Sequence, residues 1–417
     1  MPVPEFQYTR RREIIYRLLD DKLLQQRINQ QACATGQSTR TLRRRCRRYA
    51  REIVPAFSAL FYFRIGNWLA RTLLLSLYRV HARTLDIDGL DAIKPGSSVV
   101  LMINHRSSID PLLVTYLASR RSTLLTAAGE WARMWPLYHF VHLAGNPIAD
   151  RDAQDVLYKH IFKAFIQMAA REGTNMAIFP EGQLPRDGKM QAPKLGLFNY
   201  AVTADPRQAG KLYLIPVAIN YDRVPEEDQL LANPDATYRR QGAARRFASA
   251  ISATLVFLTR FLLPRQAQLG NACASFGQPF SLSEWQSRKD TDAAKSDDPR
   301  AWVSALGNEM FQQVARIIPV MPSHTLAALL LSESQSTWSV QTISRKGMQL
   351  MHAVRDRGGV TCFPDAECDH AFTNAVDEFL RRDLLSIDAD GLVTPNPDKV
   401  PTLRFMANSV SHLLEGV

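Results

Sequence analysis

Cysteine is scarce in this 417-residue chain. Its five copies, Cys33, Cys46, Cys273, Cys362 and Cys368, are odd in number and widely spread, which excludes a small secreted fold held by cross-links and points to reduced thiols facing a cytosolic compartment. Zinc spacing is missing too, since Cys362, Cys368 and His370 match no common ligand pattern and lack a fourth donor. No Gly-x-Ser-x-Gly elbow occurs, so nothing supports a serine nucleophile. The amino terminus, MPVPEFQYTRRREIIY, has none of the apolar core that a secretory signal carries. Long uninterrupted apolar runs are absent as well. Residues 53–80 place apolar side chains at mostly helical spacing, but Arg64, Arg71 and Arg79 break the stretch, and each would cost about 2.5–3.5 kcal/mol near a bilayer centre. Residues 247–263 are broken by Arg260 and ended by Pro264, at the lower limit of length for a span. Both stretches read as amphipathic helices, interfacial or buried, rather than transmembrane ones.

Against these absences stand a large apolar content and an excess of arginine. Hydrophobic residues make up 46% of the chain and aromatics 9%, enough for a sizeable core in two or three units, so a disordered chain is excluded. Lysine and arginine outnumber aspartate and glutamate by 51 to 40, a net charge of +11 that favours an anionic partner. Much of the excess lies in Arg40, Arg43, Arg44, Arg45, Arg47, Arg48 and Arg51. Tyr49 is the only aromatic residue among them, poor support for stacking on bases, and nucleic acid is set aside as a partner. An anionic membrane surface fits better, because the basic cluster adjoins the amphipathic stretch 53–80 and each cation adds roughly 1 kcal/mol at such a leaflet.

Residues 98–113 organise the rest of the chain. The run 99–103 is apolar and rich in β-branched residues, and Lys94-Pro95-Gly96 bounds it with a turn signal, so it reads as a buried strand of a parallel or mixed sheet. The strand delivers Asn104 and His105 to its carboxyl end. Asp110 followed by Pro111 predicts a helix N-cap with proline at the first helical position, so that His105 and Asp110 face one another across a short turn. An imidazole held by a carboxylate is fixed in one tautomer and made more basic, which suits it to take a proton from an alcohol. A histidine and an aspartate at this spacing would serve as well as a core histidine and a helix cap; the segments downstream decide between the two. Strand-like runs at 99–103, 176–179 and 212–219 alternate with helix-like ones at 111–119 and 156–171, which predicts an α/β sheet with function at the strands' carboxyl ends.

His105-Arg106-Ser107-Ser108-Ile109-Asp110 resembles the first motif of the glycerolipid acyltransferases, a histidine, four residues, then aspartate. Gly145-Asn146-Pro147-Ile148-Ala149-Asp150-Arg151 looks like the second. Phe179-Pro180-Glu181-Gly182, continuing through Arg186, Gly188-Lys189 and Pro193-Lys194-Leu195-Gly196, is similar to the third, and Leu214-Ile215-Pro216-Val217-Ala218-Ile219 to the fourth. Four ordered matches make the resemblance specific. Segments at 49–54, 221–226, 275–280 and 403–412 look like counterparts in the larger glycerol-3-phosphate acyltransferases of that family.

The resemblance implies transfer of a fatty acyl group from an acyl thioester, on acyl carrier protein or coenzyme A, to the sn-1 hydroxyl of glycerol 3-phosphate. His105 would be the general base, oriented by Asp110. Arg151, Arg186 and Lys194 would meet the acceptor's phosphate, with Glu181 and Gly182 shaping the floor of its site. No metal or resident cofactor is expected, because a thioester needs no electrophilic ion. One departure stands out: the third motif usually reads Glu-Gly-Thr-Arg, and here Glu181-Gly182 is followed by Gln183-Leu184, which leaves Arg186 or Lys189 to supply the missing cation. It keeps open a 1-acylglycerol-3-phosphate or other lysophospholipid acceptor, and a non-catalytic lipid-binding module is the reading from another class. The expected organisation is a basic, amphipathic helical membrane-associating region over 1–80 and an acyltransferase domain over 81–285, then a linker over 286–300 and a helical or winged-helix-like module over 301–417. The core would be a mixed, largely parallel sheet flanked by helices, at the cytoplasmic face of a membrane as a peripheral or monotopic protein.

Overall fold

Capping signals and one apolar stripe set the N-terminal helices. The computed structural model describes residues 11–58, 61–118, 123–127, 141–147, 154–204, 211–232, 269–288, 298–332 and 338–415. Helices α1 (Arg11–Leu19), α2 (Lys22–Thr35) and α3 (Thr39–Ile53) come first. The Asp21 and Ser38 side chains accept the Leu24 and Thr41 amides at the starts of α2 and α3, and Gly36, with φ 69°, ends α2 in the left-handed conformation. In α3, Leu42, Cys46, Ala50 and Ile53 lie on one buried stripe, while Arg40, Arg43, Arg44, Arg47, Arg48 and Arg51 are exposed.

The stretch 53–80, expected from its periodicity to be an amphipathic helix, is divided. Pro55 has no amide to continue α3, a π-helical turn occupies Phe61–Gly66, and the regular helix α4 runs only from Asn67 to Leu77. Helix α4 buries Ala70, Leu73, Leu74 and Leu77 and leaves Trp68 and Leu75 exposed. Tyr78 is extended and leads into β1 (Arg79–Thr84).

The remaining strands of the main sheet are β2 (Ser98–Ile103), β3 (Leu125–Thr126), β4 (Met176–Ile178), β5 (Leu212–Tyr221), β6 (Asn271–Phe276) and β7 (Phe280–Ser281), in the order β1-β6-β5-β2-β4-β3 with β7 also on β5. Strand β2 runs parallel to β4 and β5, β3 to β4 and β1 to β6; β6 and β7 pair antiparallel with β5. The mixed, largely parallel sheet flanked by helices is thus present. Its main helices are α5 (Asp110–Ala118), α6 (Val156–Arg171) and α7 (Pro299–Arg316). Side chains alternate across the sheet: Val100, Met102, Leu212 and Leu214 share one core with α3, α6 and α7, whereas Leu101, Ile103, Ile215, Val217, Ile219 and Tyr221 share the other with α4 and α5. Burial on both faces is why these strands read as continuous apolar runs.

Beyond the sheet come α8 (Pro322–Ser332), α9 (Val340–Asp356), α10 (Asp365–Arg381) and α11 (Val400–Asn408), with an antiparallel sheet β8-β10-β9 formed by β8 (Trp338–Ser339), β9 (Leu385–Ile387) and β10 (Leu392–Pro395). They enclose their own core, centred on Leu326, Ile343, Phe379, Leu384 and Leu403. Among the described residues no helix is long and apolar enough to cross a membrane. The apolar stretch 247–263 lies outside the described residues, as do 289–297 of the expected linker.

Replacement of Leu306 in α7, fully buried against the sheet, by alanine is expected to cost about 2–5 kcal/mol, and the same change at exposed Leu75 less than about 0.5 kcal/mol, both measured by denaturant unfolding.

Candidate active site

Strand β2 ends in a turn fixed almost entirely by side-chain bonds to backbone. The Asn104 amide group is fully engaged with Ile219 of β5, donating to its carbonyl at 3.0 Å and accepting its N–H at 2.7 Å. His105 follows, and its Nδ1 lies 2.7 Å from Asp110 Oδ2. The same oxygen accepts the Arg106 amide at 2.6 Å and the Ser107 amide at 3.0 Å, while Oδ1 accepts the Tyr221 hydroxyl at 2.7 Å. Four donors therefore converge on one buried carboxylate. Because Asp110 accepts on every side, Nδ1 carries the imidazole proton and Nε2 is the basic nitrogen. The Asp110 side chain has no exposed surface and that of His105 keeps 17%, so the imidazole is reachable and its partner is not.

One expectation is corrected here. Asp110 does not cap its own helix: the Leu112 and Leu113 amides go to the Ile109 carbonyl, and the carboxylate turns back to the loop and to β5. The His105, Arg106, Ser107 and Tyr221 donors occupy both of its oxygens.

Glu181 follows β4 at the same rim. Its Oε1 accepts the His105 amide and its Oε2 the Gln191 amide, each at 2.7 Å, so it ties the first motif to the loop of the third. Burial pushes its carboxyl up to about 7, against the pull of the Gln191 and His105 amides and of the nearby His105 and Arg106. With 1% of its surface exposed, Glu181 acts on backbone rather than offering itself to an acceptor. Gly182 turns the loop at φ 72°, and the Phe179 ring packs 5.0 Å from the His105 ring. Arg186 is half-buried and Lys194 exposed on that loop. Arg151 lies outside the described residues. The structure thus brings His105, Asp110 and Glu181 together and sets Gly182, Arg186 and Lys194 on the loop beside them.

Two residues of the site carry no signal in a motif scan. Tyr221 stands at the far end of β5, and its ring packs on Tyr78, whose hydroxyl donates to the Arg223 carbonyl. Beneath it, buried His324 donates from Nε2 to the Tyr221 carbonyl and accepts from Asn220 on Nδ1; burial above all pushes its pKa down to about 3, which keeps it neutral. Glu226 accepts the Ser107 hydroxyl at 2.9 Å, the Ser108 amide at 3.1 Å and the Ser108 hydroxyl, pinning the turn between His105 and Asp110. Both acidic and phenolic partners belong to the stretch 221–226, whose family likeness was its only cue. Among the described residues no group of three or more histidine, cysteine or acidic side chains gathers as a metal would need.

Tyr221→Phe leaves Asp110 Oδ1 without its donor and is expected to lower stability by roughly 1–3 kcal/mol and turnover about tenfold, read by denaturant unfolding and by kcat. Glu181 supplies a pH test. Its raised pKa means that the fold binds its proton more tightly than the unfolded chain does, so the stability it lends is complete below pH 4.5 and is lost as the pH rises through about 7. Urea unfolding at pH 5 and pH 8 should show a smaller difference in Glu181→Gln than in the parent; equal differences would rule the effect out.

Residues 84–220 match the family model described as Acyltransferase, and residues 257–415 the model described as Glycerol-3-phosphate acyltransferase C-terminal region. A glycerol-3-phosphate acyltransferase of Alteromonas mediterranea is 23% identical over 76% of this chain and 39% of its own. Another from Pseudomonas syringae pv. syringae is 25% identical over 80% and 40%, and one from a Shewanella species, strain MR-4, 24% over 97% and 50%. The chain thus spans two fifths to half the length of these relatives. A solved 1-acyl-sn-glycerophosphate acyltransferase from Thermotoga maritima aligns with a TM-score of 0.35 at 14% identity, over 61% of this chain and 80% of that one, too distant to bear on the assignment. The chain thus carries, in order, a region matched by the acyltransferase model and a region matched by the model of the glycerol-3-phosphate acyltransferase C-terminal region.

Proposed function

We propose that this protein transfers a fatty acyl group from an acyl thioester to the sn-1 hydroxyl of glycerol 3-phosphate, forming lysophosphatidate. The observation that carries the reading is the His105–Asp110 pair, held by Tyr221 and two backbone amides at the carboxyl end of β2. Nε2 of His105 takes the hydroxyl proton as the oxygen forms its bond to the thioester carbonyl carbon. The tetrahedral intermediate collapses with cleavage of the C–S bond, and the proton on Nε2 passes to the departing thiolate. A thiolate leaves readily, so no acyl-enzyme is needed. The donor, acyl carrier protein or coenzyme A thioester, is a substrate, and no resident cofactor enters the step. Arg151, Arg186 and Lys194 are the cations for the acceptor's phosphate, Arg being suited to paired contacts with its oxygens.

Residues 81–285 hold the chemistry in this reading, with the 301–417 module joined through the linker 286–300. Residues 1–80 meet an anionic membrane surface at the cytoplasmic face, where the protein sits as a peripheral or monotopic enzyme. Six exposed arginines on α3 and the exposed Ile65, Trp68 and Leu75 support that contact, as cation and apolar side chains suited to a headgroup layer. Leu184, at the position of an expected cation, favours as the second reading an acceptor that is a lysophospholipid.

Acyl transfer from a radiolabelled thioester to glycerol 3-phosphate and to lysophosphatidate tests the assignment. Product from glycerol 3-phosphate is expected, absent in His105→Ala, and reduced in kcat by about 10²–10⁴-fold in Asp110→Asn. Product from the lysolipid alone would transfer the protein to the second reading. Replacing Arg44, Arg47 and Arg51 together by glutamate is expected to weaken co-sedimentation with anionic vesicles at least about tenfold; unaltered binding would remove α3 from the membrane contact.

A further inference from the structure

We infer that Phe405 on α11 and Arg106 beside the base are positioning residues for the acceptor: between them they clamp the loop 186–191 in register with His105. The inference rests on the acyltransferase reading and extends it to the C-terminal helices, to which no part of the mechanism is otherwise assigned. Arg106 follows the base directly, yet its side chain points inward, with 4% of the residue exposed. Its Nη1 donates to the Gly188 carbonyl at 2.5 Å, and its guanidinium carbon lies 5.2 Å from the centroid of the Phe405 ring, itself 3% exposed. A planar cation laid on an aromatic face with an N–H directed along its edge is a task for arginine and not for lysine.

The other half of the clamp is backbone. Gly188 has φ 82°, and a Cβ there would stand 2.0 Å from the Phe405 carbonyl oxygen, so the loop and α11 touch main chain to main chain. One turn along α11, Asn408 Nδ2 donates to the Asp187 carbonyl at 2.7 Å. On its far side the loop is held by Gln191 N–H on Glu181, whose other oxygen holds the His105 amide. A continuous chain of contacts therefore runs from α11 through residues 187–191 to the backbone of the base. Arg186 and Lys189, the cations left to compensate for Leu184, ride on this loop. Its placement governs acceptor binding, whereas proton transfer depends on the His105–Asp110 side-chain pair, to which Arg106 gives its main-chain amide and not its guanidinium.

Steady-state kinetics separate these roles. Parent protein and His105→Ala are assayed first; loss of His105-dependent transfer in the parent would sink the acyltransferase reading itself. Given that activity, Phe405→Leu and Arg106→Lys are each expected to raise KM for glycerol 3-phosphate at least about fivefold, and in Phe405→Leu KM for the thioester and kcat stay within about threefold of the parent. Asn408→Ala, a half-buried change that spares all three cores, should show the same split in smaller measure. Hydrogen exchange at amides 187–191 should quicken in all three variants while β2 and β5 stay protected. Acceptor KM unchanged in Asn408→Ala and Phe405→Leu, or both KM values rising in parallel, overturns the inference, as does unaltered exchange at 187–191. Exchange needs no substrate, so the clamp is tested even where the acceptor proves to be another molecule.

Discussion

The Asp110 carboxylate is the interaction on which the rest of the site depends. Its donors come from three places in the fold: the imidazole of the base, two successive amides of the turn, and a tyrosine at the end of β5. Since β2 and β5 pair in register from Ser98↔Leu212 to Ile103↔Val217, and Asn104 bonds Ile219 beyond them, the orientation of the base is referenced to the sheet itself. A slip of one residue between the strands would send Tyr221 to the opposite face and leave the carboxylate unsupported. Sheet register and the geometry of the His105–Asp110 pair are thus one constraint.

Glu181 extends that constraint to β4. Carboxylates at the ends of adjacent strands each accept main-chain amides, so the rim is built from backbone bound by buried acids rather than from side chains reaching out of flexible loops. The arrangement keeps buried carboxylates satisfied, which is the condition for keeping them at all. It also leaves His105 as the partly exposed member of the group.

Much of this was legible in order of appearance. Residues 99–103 lie on a strand because a run of β-branched side chains buried on both faces has that pattern, and His105 falls at its end because the apolar run stops there. Beyond His105, the partners of Asp110 were not legible: Tyr221 is 111 residues away, and an aspartate before proline has the same local signature whether it caps a helix or holds an imidazole. The arginine-rich helix shows a second limit. Leu42, Cys46, Ala50 and Ile53 would form the same stripe whether they faced lipid or protein; here the stripe is buried against the sheet's own helices, and only the cationic face is left for a partner. The division of 53–80 arises from Pro55 and from the pairing of β1 with β6, the second of which no local periodicity reports.

Helix α7 carries a consequence for how such chains can be recombined. It lies within the second matched region, residues 257–415, yet Leu306, Met310 and Val314 belong to the same core as Val100 and Leu214 of the central strands. A cut near residue 300 would strip α7 from the cover that it shares with α3 and α6 on one face of the sheet and expose its apolar side. The two portions are therefore contiguous in sequence but interleaved in space, and an exchange of C-terminal regions between relatives would have to carry α7 with the sheet, breaking instead in the short connection at 317–321.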